Sequence, residues 1–426
     1  MKKCTHFNFS AISMAGLVAA GLLATSLQTH AADQDTNTLF KESMFLRETG
    51  KTYSAIEAME SILQSQPTLQ RVRLELAVSY YRVLNYERAQ TEAQKVLDDP
   101  KTPDNVKLAI QVFLAQVKHD EEQALKQKNR FIPSVSVGLL YDSNINAGPG
   151  SSLLPGGWVL DNTSLAKEDW AAVLQAGVSH TYQSPTPVRV GENAARFLWQ
   201  SQANIYQRSY FNEGDYNLTL ATLATGPAWQ APNRWRGNIN FQADYLMQGG
   251  HDLATYLSAA PSFTLQLKDS ELTGDLLYTN KNFNRGVDSG RDSDYVSGGL
   301  IYGHLFRNGK AAAQIGVHAF NEDAKLAQYS NDGYSWFVGA SYMAWTNGTI
   351  YGRFTQTTAT YDVGTTVPNR KDNTYQYEVG FGHNIKSGKL AGWSVSGSVT
   401  AIENRSDDPI YKYRRNLALV TLGRSF

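Results

Sequence analysis

The sequence predicts a mixed chain: an N-terminal all-α, tetratricopeptide-like helical domain, then a transmembrane antiparallel β-barrel of about 14 strands. Three observations carry this reading. Residues of about 36–128 are rich in Ala, Leu, Glu, Gln and Lys, with apolar residues recurring at every third or fourth position. From about Phe131 to Phe426 the apolar period falls to two. The connections between these alternating runs are short and long in turn, the habit of barrels that cross a bilayer with strands.

Residues 1–31 read as a cleaved signal peptide. Lys2 and Lys3 form a positive start, Ile12 to Leu27 is apolar or small, and Thr29-His30-Ala31 offers small residues for cleavage. Cys4 lies ahead of the apolar run and is discarded with it, so the mature chain has no cysteine and uses no disulfide. Cleavage leaves 37 basic against 39 acidic side chains, a balance that argues against nucleic acid as a partner. The mature chain has no apolar run long enough for a helical span. Barrel strands escape such a search because half of their residues face the lumen.

Residues 32–130 read as a periplasmic domain of paired helices. Lys51-Thr52-Tyr53-Ser54-Ala55-Ile56 parallels Asn85-Tyr86-Glu87-Arg88-Ala89-Gln90, with Ala55 and Ala89 34 positions apart. A small residue there lets the second helix of a pair lie close against the first. Pro67 and Pro100 end the two units, and Leu76, Ala77, Tyr80 and Tyr81 occupy first-helix packing positions. This is similar to the tetratricopeptide repeat. Glu42 and Ser43 depart from it, standing where Leu and Gly are usual. A third helix, about Asp104 to Lys128, caps the stack. By analogy with such repeats, Leu74, Val78, Tyr81 and Arg82 line a concave, client-binding groove.

Residues 131–426 read as the barrel. Trp235, Gly237, Ile239, Phe241, Ala243 and Tyr245 take one face of a strand, and Arg236, Asn238, Asn240, Gln242 and Asp244 the other. The same alternation runs through Tyr375 to Gly382 and Trp393 to Ala401. In a membrane barrel the apolar face meets lipid and the polar face lines the lumen. Strands are expected at about 132–141, 170–182, 195–209, 215–228, 234–246, 253–267, 271–280, 294–306, 310–321, 334–345, 349–361, 373–386, 391–404 and 414–426. Asn308-Gly309, Asn347-Gly348 and Ser387-Gly388 supply the positive φ of tight turns. Longer loops are expected at about 142–169, 281–293, 322–333, 362–372 and 405–413. The second connection, about 183–194, is long for the turn side and is a candidate to contact the helices. The terminal Phe426 fits the signal read by barrel-insertion machinery, and Arg424 is expected to snorkel to headgroups.

Fourteen strands spaced about 4.8 Å and tilted about 40° enclose a backbone diameter of roughly 28 Å, halved by side chains. An extended chain passes such a bore and a folded domain does not. The first long loop, with Gly148-Pro149-Gly150 and Pro155-Gly156-Gly157, is the candidate plug. His180, His251, His304, His318 and His383 are scattered over different strands, and no catalytic or phosphate-binding motif is present. The Asp- and Asn-rich run Asn284 to Asp294 reads as a solvated loop, not as an EF-hand. The expectation is a non-enzyme with no metal and no cofactor.

One junction adds a family resemblance. A basic helix end (Lys126 to Arg130) precedes Phe131-Ile132-Pro133-Ser134-Val135-Ser136-Val137-Gly138. Tyr141-Asp142-Ser143-Asn144-Ile145-Asn146 follows. This resembles the entry to the barrel in the surface lipoprotein assembly modulator (Slam) family of Gram-negative outer membranes, whose architecture spans the whole mature chain. The resemblance implies export of a dedicated client, a surface lipoprotein or a soluble haem- or metal-acquisition protein, held by the helices and passed through or along the barrel. It implies an outer-membrane location, a periplasmic N-terminal domain, and outer-membrane lipids, barrel-insertion machinery and a periplasmic chaperone as partners. Tyr141, Asp142, Asn144 and Asn146 are then barrel-entry or gate residues. The rival expectation is a polysaccharide-export or small-molecule porin with a periplasmic repeat domain.

Overall fold

The computed structural model describes residues 31–126, 128–153, 157 and 159–426. The segment read as a signal peptide, with Cys4, lies outside these residues apart from Ala31, as do Pro155 and Gly156 of the candidate plug. The chain divides into two units, each described here by itself. A helical unit runs to Arg130 and takes in Tyr182–Leu198 and Trp229–Ala231; a strand unit comprises Phe131–Thr181, Trp199–Ala228 and Pro232–Phe426.

The helical unit contains α1 (Ala31–Glu48), α2 (Thr52–Ser65), α3 (Gln70–Arg82), α4 (Tyr86–Leu97) and α5 (Asp104–Lys126). Consecutive helices pack together, and one apolar cluster joins Ile56, Met59 and Ile62 of α2 to Val72, Leu76 and Tyr80 of α3 and Val117 of α5. Ala55 and Ala89 are fully buried in α2 and α4, so the close approach expected of small residues at both positions is present. Arg47 and Glu75 form an ion pair at 2.6 Å between α1 and α3, with both side chains only 6% exposed. Such a pair stabilises little by itself, but losing one partner strands a buried charge.

The N-termini of α2 and α4 are closed differently. Asn85 caps α4 in the ordinary way, its side chain accepting from the Arg88 N–H. Lys51 precedes α2 and has no side-chain acceptor to offer. Its place is taken from far along the chain by Glu192. This residue lies at the tip of a hairpin formed by a short strand, β3 (Val188–Val190), and the start of β4 (Asn193–Tyr210). The Glu192 carboxylate accepts from the Tyr53 and Ser54 N–H groups at 3.0 and 3.1 Å and from Ser54 Oγ at 2.9 Å. Arg189 pairs with Glu57 at 2.7 Å and lies over the Tyr53 ring, and Ala194 packs against the helical core. The long second connection thus does meet the helices, and the physical reason is the uncapped α2.

The strand unit is built from β1 (Asn129–Asp142), β2 (Asp169–Gln183), β4, β5 (Leu218–Ala231), β6 (Trp235–Gln248), β7 (His251–Gln266), β8 (Ser270–Phe283), β9 (Ser293–Phe306), β10 (Ala311–Ala324), β11 (Asn331–Trp345), β12 (Gly348–Tyr361), β13 (Arg370–Asn384), β14 (Trp393–Ser406) and β15 (Tyr413–Ser425). Each long strand pairs with its neighbours in sequence, β2 pairs with β4 across the short β3, and β15 returns to β1. The last ladder is antiparallel, from Ser134↔Ser425 to Asp142↔Leu417. The result is a closed antiparallel barrel of fourteen long strands, with every end within three residues of the position the alternation predicts. Closure leaves no unpaired edge, which is the condition for strands to exist in hydrocarbon.

The turn chemistry holds at Asn308 and Asn347, which take φ of 55° and 64°. Two connections differ from expectation. Pairing of β13 with β14 stops at Asn384↔Ser394, so the turn expected at Ser387-Gly388-Lys389 is a longer connection. It is closed by Ile385 N–H to Trp393 O and Gly392 N–H to Ile385 O, both 2.8 Å. β6 and β7 are joined on the long-loop side by Gly249-Gly250 alone, both at positive φ. Two adjacent left-handed residues make the tight hairpin that matches strand twist, so no long loop is needed there.

Candidate channel constriction

The two faces of the barrel have opposite chemistry. Cross-strand partners share a face, and the apolar parity of each strand lines up with that of the next: Leu276 beside Gly298, Leu300 beside Val317, Val338 beside Phe354, Val379 beside Val399, Val399 beside Ala418. Large side chains on this parity, including Leu257, Leu276, Leu300, Val317, Val379 and Val420, stand exposed. It is the outer face, and its exposed apolar surface is what lipid would cover.

Many groups of the other parity satisfy one another, while Arg208 lies over the Tyr210 ring and Arg353 over the Phe337 ring with no ion pair among the described residues. Arg236 makes a two-pronged pair with Glu271 at 2.8 and 2.6 Å. Asp275 meets His318 Nε2 at 3.2 Å and Lys281 meets Glu322 at 2.6 Å. Asp244 accepts from Thr222 and Gln242 at 2.6 and 2.7 Å, and Ser258–Thr279 and Thr264–Thr273 are hydroxyl pairs at 2.9 Å. A wall most of whose charges are paired in this way offers polar contacts with only a modest field of one sign.

At the loop end of β1 the chain turns onto this inner wall. Asp142 has no exposed surface; it accepts from Arg415 Nε at 2.9 Å and Nη2 at 2.5 Å, from the Tyr210 hydroxyl at 2.8 Å and from the Asn144 N–H at 3.0 Å. Asn144, also buried, donates to Gly148 O and Arg414 O at 2.9 Å each and accepts from the Gly148 N–H at 2.9 Å. Ile145 is inserted among Leu140, Ala171, Val173 and Tyr210, with Leu417 and Leu419 beside it. A Cβ on Gly148 would come within 2.5 Å of Ser164 O, so only glycine allows the return strand of this loop to lie so close. Asn146 completes the tether, donating to Leu165 O at 2.7 Å and accepting from the Lys167 N–H at 3.1 Å. Lys167 in turn pairs with Glu213 at 3.0 Å, which raises its pKa. Residues 143–149 and 164–167 therefore form a compact strap latched to β15 and β4 by one carboxylate.

The predicted gate residues divide. Asp142, Asn144 and Asn146 form the latch. Tyr141 is placed elsewhere: strand parity turns it outward, where its hydroxyl donates to Glu168 at 2.7 Å and its ring lies 5.2 Å from that of Trp170. A single step along a strand reverses the face, so a motif of consecutive residues cannot all serve one side. Arg415 and Tyr210 are the partners of Asp142 that the motif alone did not reveal. Their inward parity is readable in sequence, but Asp142 meets them only when the barrel closes.

The predicted groove residues also divide. Leu74 is buried with Ala77, Val96, Val106 and Ile110, so it is a core residue between α3, α4 and α5, not part of an open groove. Val78 is half-buried. Tyr81 donates to Asp120 at 2.5 Å and lies edge-on to Phe113; burial and that carboxylate push its pKa up. Arg82, with 27% of its side chain exposed, reaches Glu48 at 3.5 Å. On the far side of α3, Tyr80 donates to Glu60 and accepts from Arg88, and burial followed by Glu60 pushes its pKa up to about 12.

The loops beside the strap are tied to one another. Asp408, fully buried, accepts from the Thr365 and Thr366 N–H groups at 2.7 and 3.0 Å and from Thr366 Oγ1 at 2.7 Å, joining residues 362–369 to 407–412. Burial alone would raise its pKa; these donors outweigh burial and lower it. Lys325 pairs with Asp292 at 2.6 Å, joining two further loops. The run Asn284 to Asp294 is thus a tethered loop, and no group of side chains suited to a metal occurs among the described residues.

No protein-family model matches the chain, and no curated protein does. Solved structures with some likeness include OccK1 (OpdK) of Pseudomonas aeruginosa, at TM-score 0.36 and 10% identity over 70% of this chain and 99% of that one. OpdO of the same organism follows at 0.35 and 11% over 70% and 97%, and OccAB4 of Acinetobacter baumannii at 0.34 and 9% over 70% and 99%. At these TM-scores the likeness carries no argument; the barrel rests on its own strand pairing.

Proposed function

We propose that this chain is an outer-membrane channel for polar cargo, with loop one as its constriction and the helical unit as a periplasmic accessory module. The observation that supports it is the closed barrel, apolar outside and lined inside by paired polar groups, onto whose inner wall residues 143–149 are latched. Of the expectations set out above, the small-solute or polysaccharide channel is favoured. A wall of internally paired charges suits neutral or weakly charged polar cargo better than a strongly charged polymer. The reading involves no catalytic step. The test is electrical: purified protein in a planar bilayer should give discrete conductance steps that small sugars or peptides reduce. Absence of any conductance, in the intact chain and in a chain with the latch broken, would overturn it.

A second reading is kept for one feature. Half-exposed Val78 and Arg82 on α3 give the helices a surface that a bare solute channel does not need. Under that reading the helices are tetratricopeptide-like and present a client protein to the barrel, as the Slam resemblance implies. Deleting residues 33–128 should then abolish surface display of the client while the barrel still inserts. Unchanged display would remove this reading and leave the solute channel.

A further inference from the structure

The two rims of the barrel treat charge differently. On the loop side most cations are paired within the molecule: Lys167 with Glu213, Lys281 with Glu322, Lys325 with Asp292, and Arg405 and Arg414 with a shared Glu403, while Lys371 and Lys412 are exposed outside any ion pair among the described residues. On the other side, the connections 232–234, 267–269, 307–310, 346–347 and 385–392 carry Arg234, Lys268, Arg307, Lys310, Lys386 and Lys389 against a single carboxylate, Asp269. All six cations are exposed. Among the described residues none of them is in an ion pair. Arg307 lies over the Tyr342 ring, and Arg424 on the same rim lies over Phe426.

Exposed apolar side chains sit directly beside these charges. Leu267 adjoins Lys268, Phe306 adjoins Arg307, Leu390 adjoins Lys389, and Met343, Trp345 and Phe426 stand exposed on the same rim. An acidic protein partner would ask for the charges alone. Alternation of free cations with side chains that prefer hydrocarbon is what a bilayer interface asks for, since each cation can reach a headgroup phosphate while its neighbour stays in the acyl region.

We infer that the turn-side rim is a binding surface for anionic phospholipid headgroups, and that it faces the phospholipid leaflet. The inference rests on the membrane-channel reading above. The loop-side rim, most of whose cations are paired within the molecule, makes a weaker demand.

The test uses the full chain reconstituted in phosphatidylcholine bilayers with a trace of spin-labelled phosphatidylglycerol or spin-labelled phosphatidylcholine, reading the motionally restricted fraction of each. The wild type should prefer phosphatidylglycerol roughly fivefold. The preference should vanish in about 1 M salt, where exposed charges are screened. It should also vanish in the combined variant Lys268→Gln, Arg307→Gln, Lys310→Gln, Lys386→Gln and Lys389→Gln, and persist in Lys325→Gln with Lys371→Gln and Lys412→Gln on the opposite rim. Should the turn-side variant not fold, as judged by loss of heat-modifiable migration, the salt series on wild type decides. An inserted wild type with no preference, a salt-insensitive preference, or one lost in the loop-side variant would each overturn the inference. A wild type that fails to insert at all would overturn the membrane reading beneath it.

Discussion

Arg415 and Asp142 are 273 residues apart in sequence, and each is uninformative alone. Together they bury a carboxylate whose remaining acceptors are used by Tyr210 and the Asn144 N–H. Removing the cation leaves that carboxylate dry and half-partnered, a cost of about 3–5 kcal/mol. The strap has an easier outlet than unfolding, which is to leave the wall. Arg415→Ala should therefore raise single-channel conductance and its noise while the barrel stays folded, and Arg415→Lys should restore part of the block. Glu75 offers a contrasting case. Its pair with Arg47 lies between packed helices, where Arg47 otherwise keeps only the exposed Glu48 at 3.4 Å, so Glu75→Ala should destabilise the helical unit by about 3 kcal/mol, read as faster amide exchange in α1 and α3 of the intact protein. Legibility at this scale was partial. Asp142, Asn144 and Asn146 were readable as a motif. Leu74 was misplaced because the repeat analogy does not show how closely α5 covers it.

At the level of elements, the β3–β4 hairpin is the one whose role the pattern of strands left open. It exists because α2 begins after Lys51, which offers no acceptor side chain, and the free N–H groups of that helix end need one. Glu192 provides it. Burial alone would raise the pKa of this carboxylate, but the Ser54 and Tyr53 donors and Arg189 outweigh burial and hold it below its ordinary value of 4.5. The contribution is thus fully present above about pH 4.5 and is lost as the pH falls through the depressed value. Acidification through that depressed value should release the hairpin, seen as increased amide exchange at Tyr53 and Ser54, with exchange in the core of α4 unchanged. Glu192→Gln should loosen the same two amides at neutral pH, with a cost of about 1 kcal/mol. The short strand Val188–Val190 was not visible in sequence. Three residues carry no periodicity, and its partner segment was already assigned to a longer strand.

For the whole molecule, the proposed channel depends on closure more than on any one element. A channel requires that β15 return to β1, and the ladder from Ser134 to Asp142 supplies that contact. A double substitution that puts charges on the outer face of this seam, Val137→Lys with Val420→Lys, faces two opposed costs of about 2–4 kcal/mol each near the bilayer midplane. Assembly in the membrane should fall sharply, measured as loss of heat-modifiable monomer. The matching inner-face change, Ser136→Lys, should be tolerated and alter conductance instead. This asymmetry tests the assignment of faces directly.

Much of this architecture was legible before any coordinates. A helix needs apolar residues at three and four and a strand needs them at two, so local chemistry alone separated the helical unit from the barrel and located nearly every strand. Asn and Gly at the turns followed from positive φ, which few other residues adopt cheaply. What only the tertiary structure decided is every contact between segments far apart in the chain: the Asp142 latch, the Glu192 cap on α2 and the burial of Leu74. Side-chain parity is a property of neighbours along the chain, whereas partners across a sheet are chosen by register, and at the seam that register is set only when the last strand meets the first.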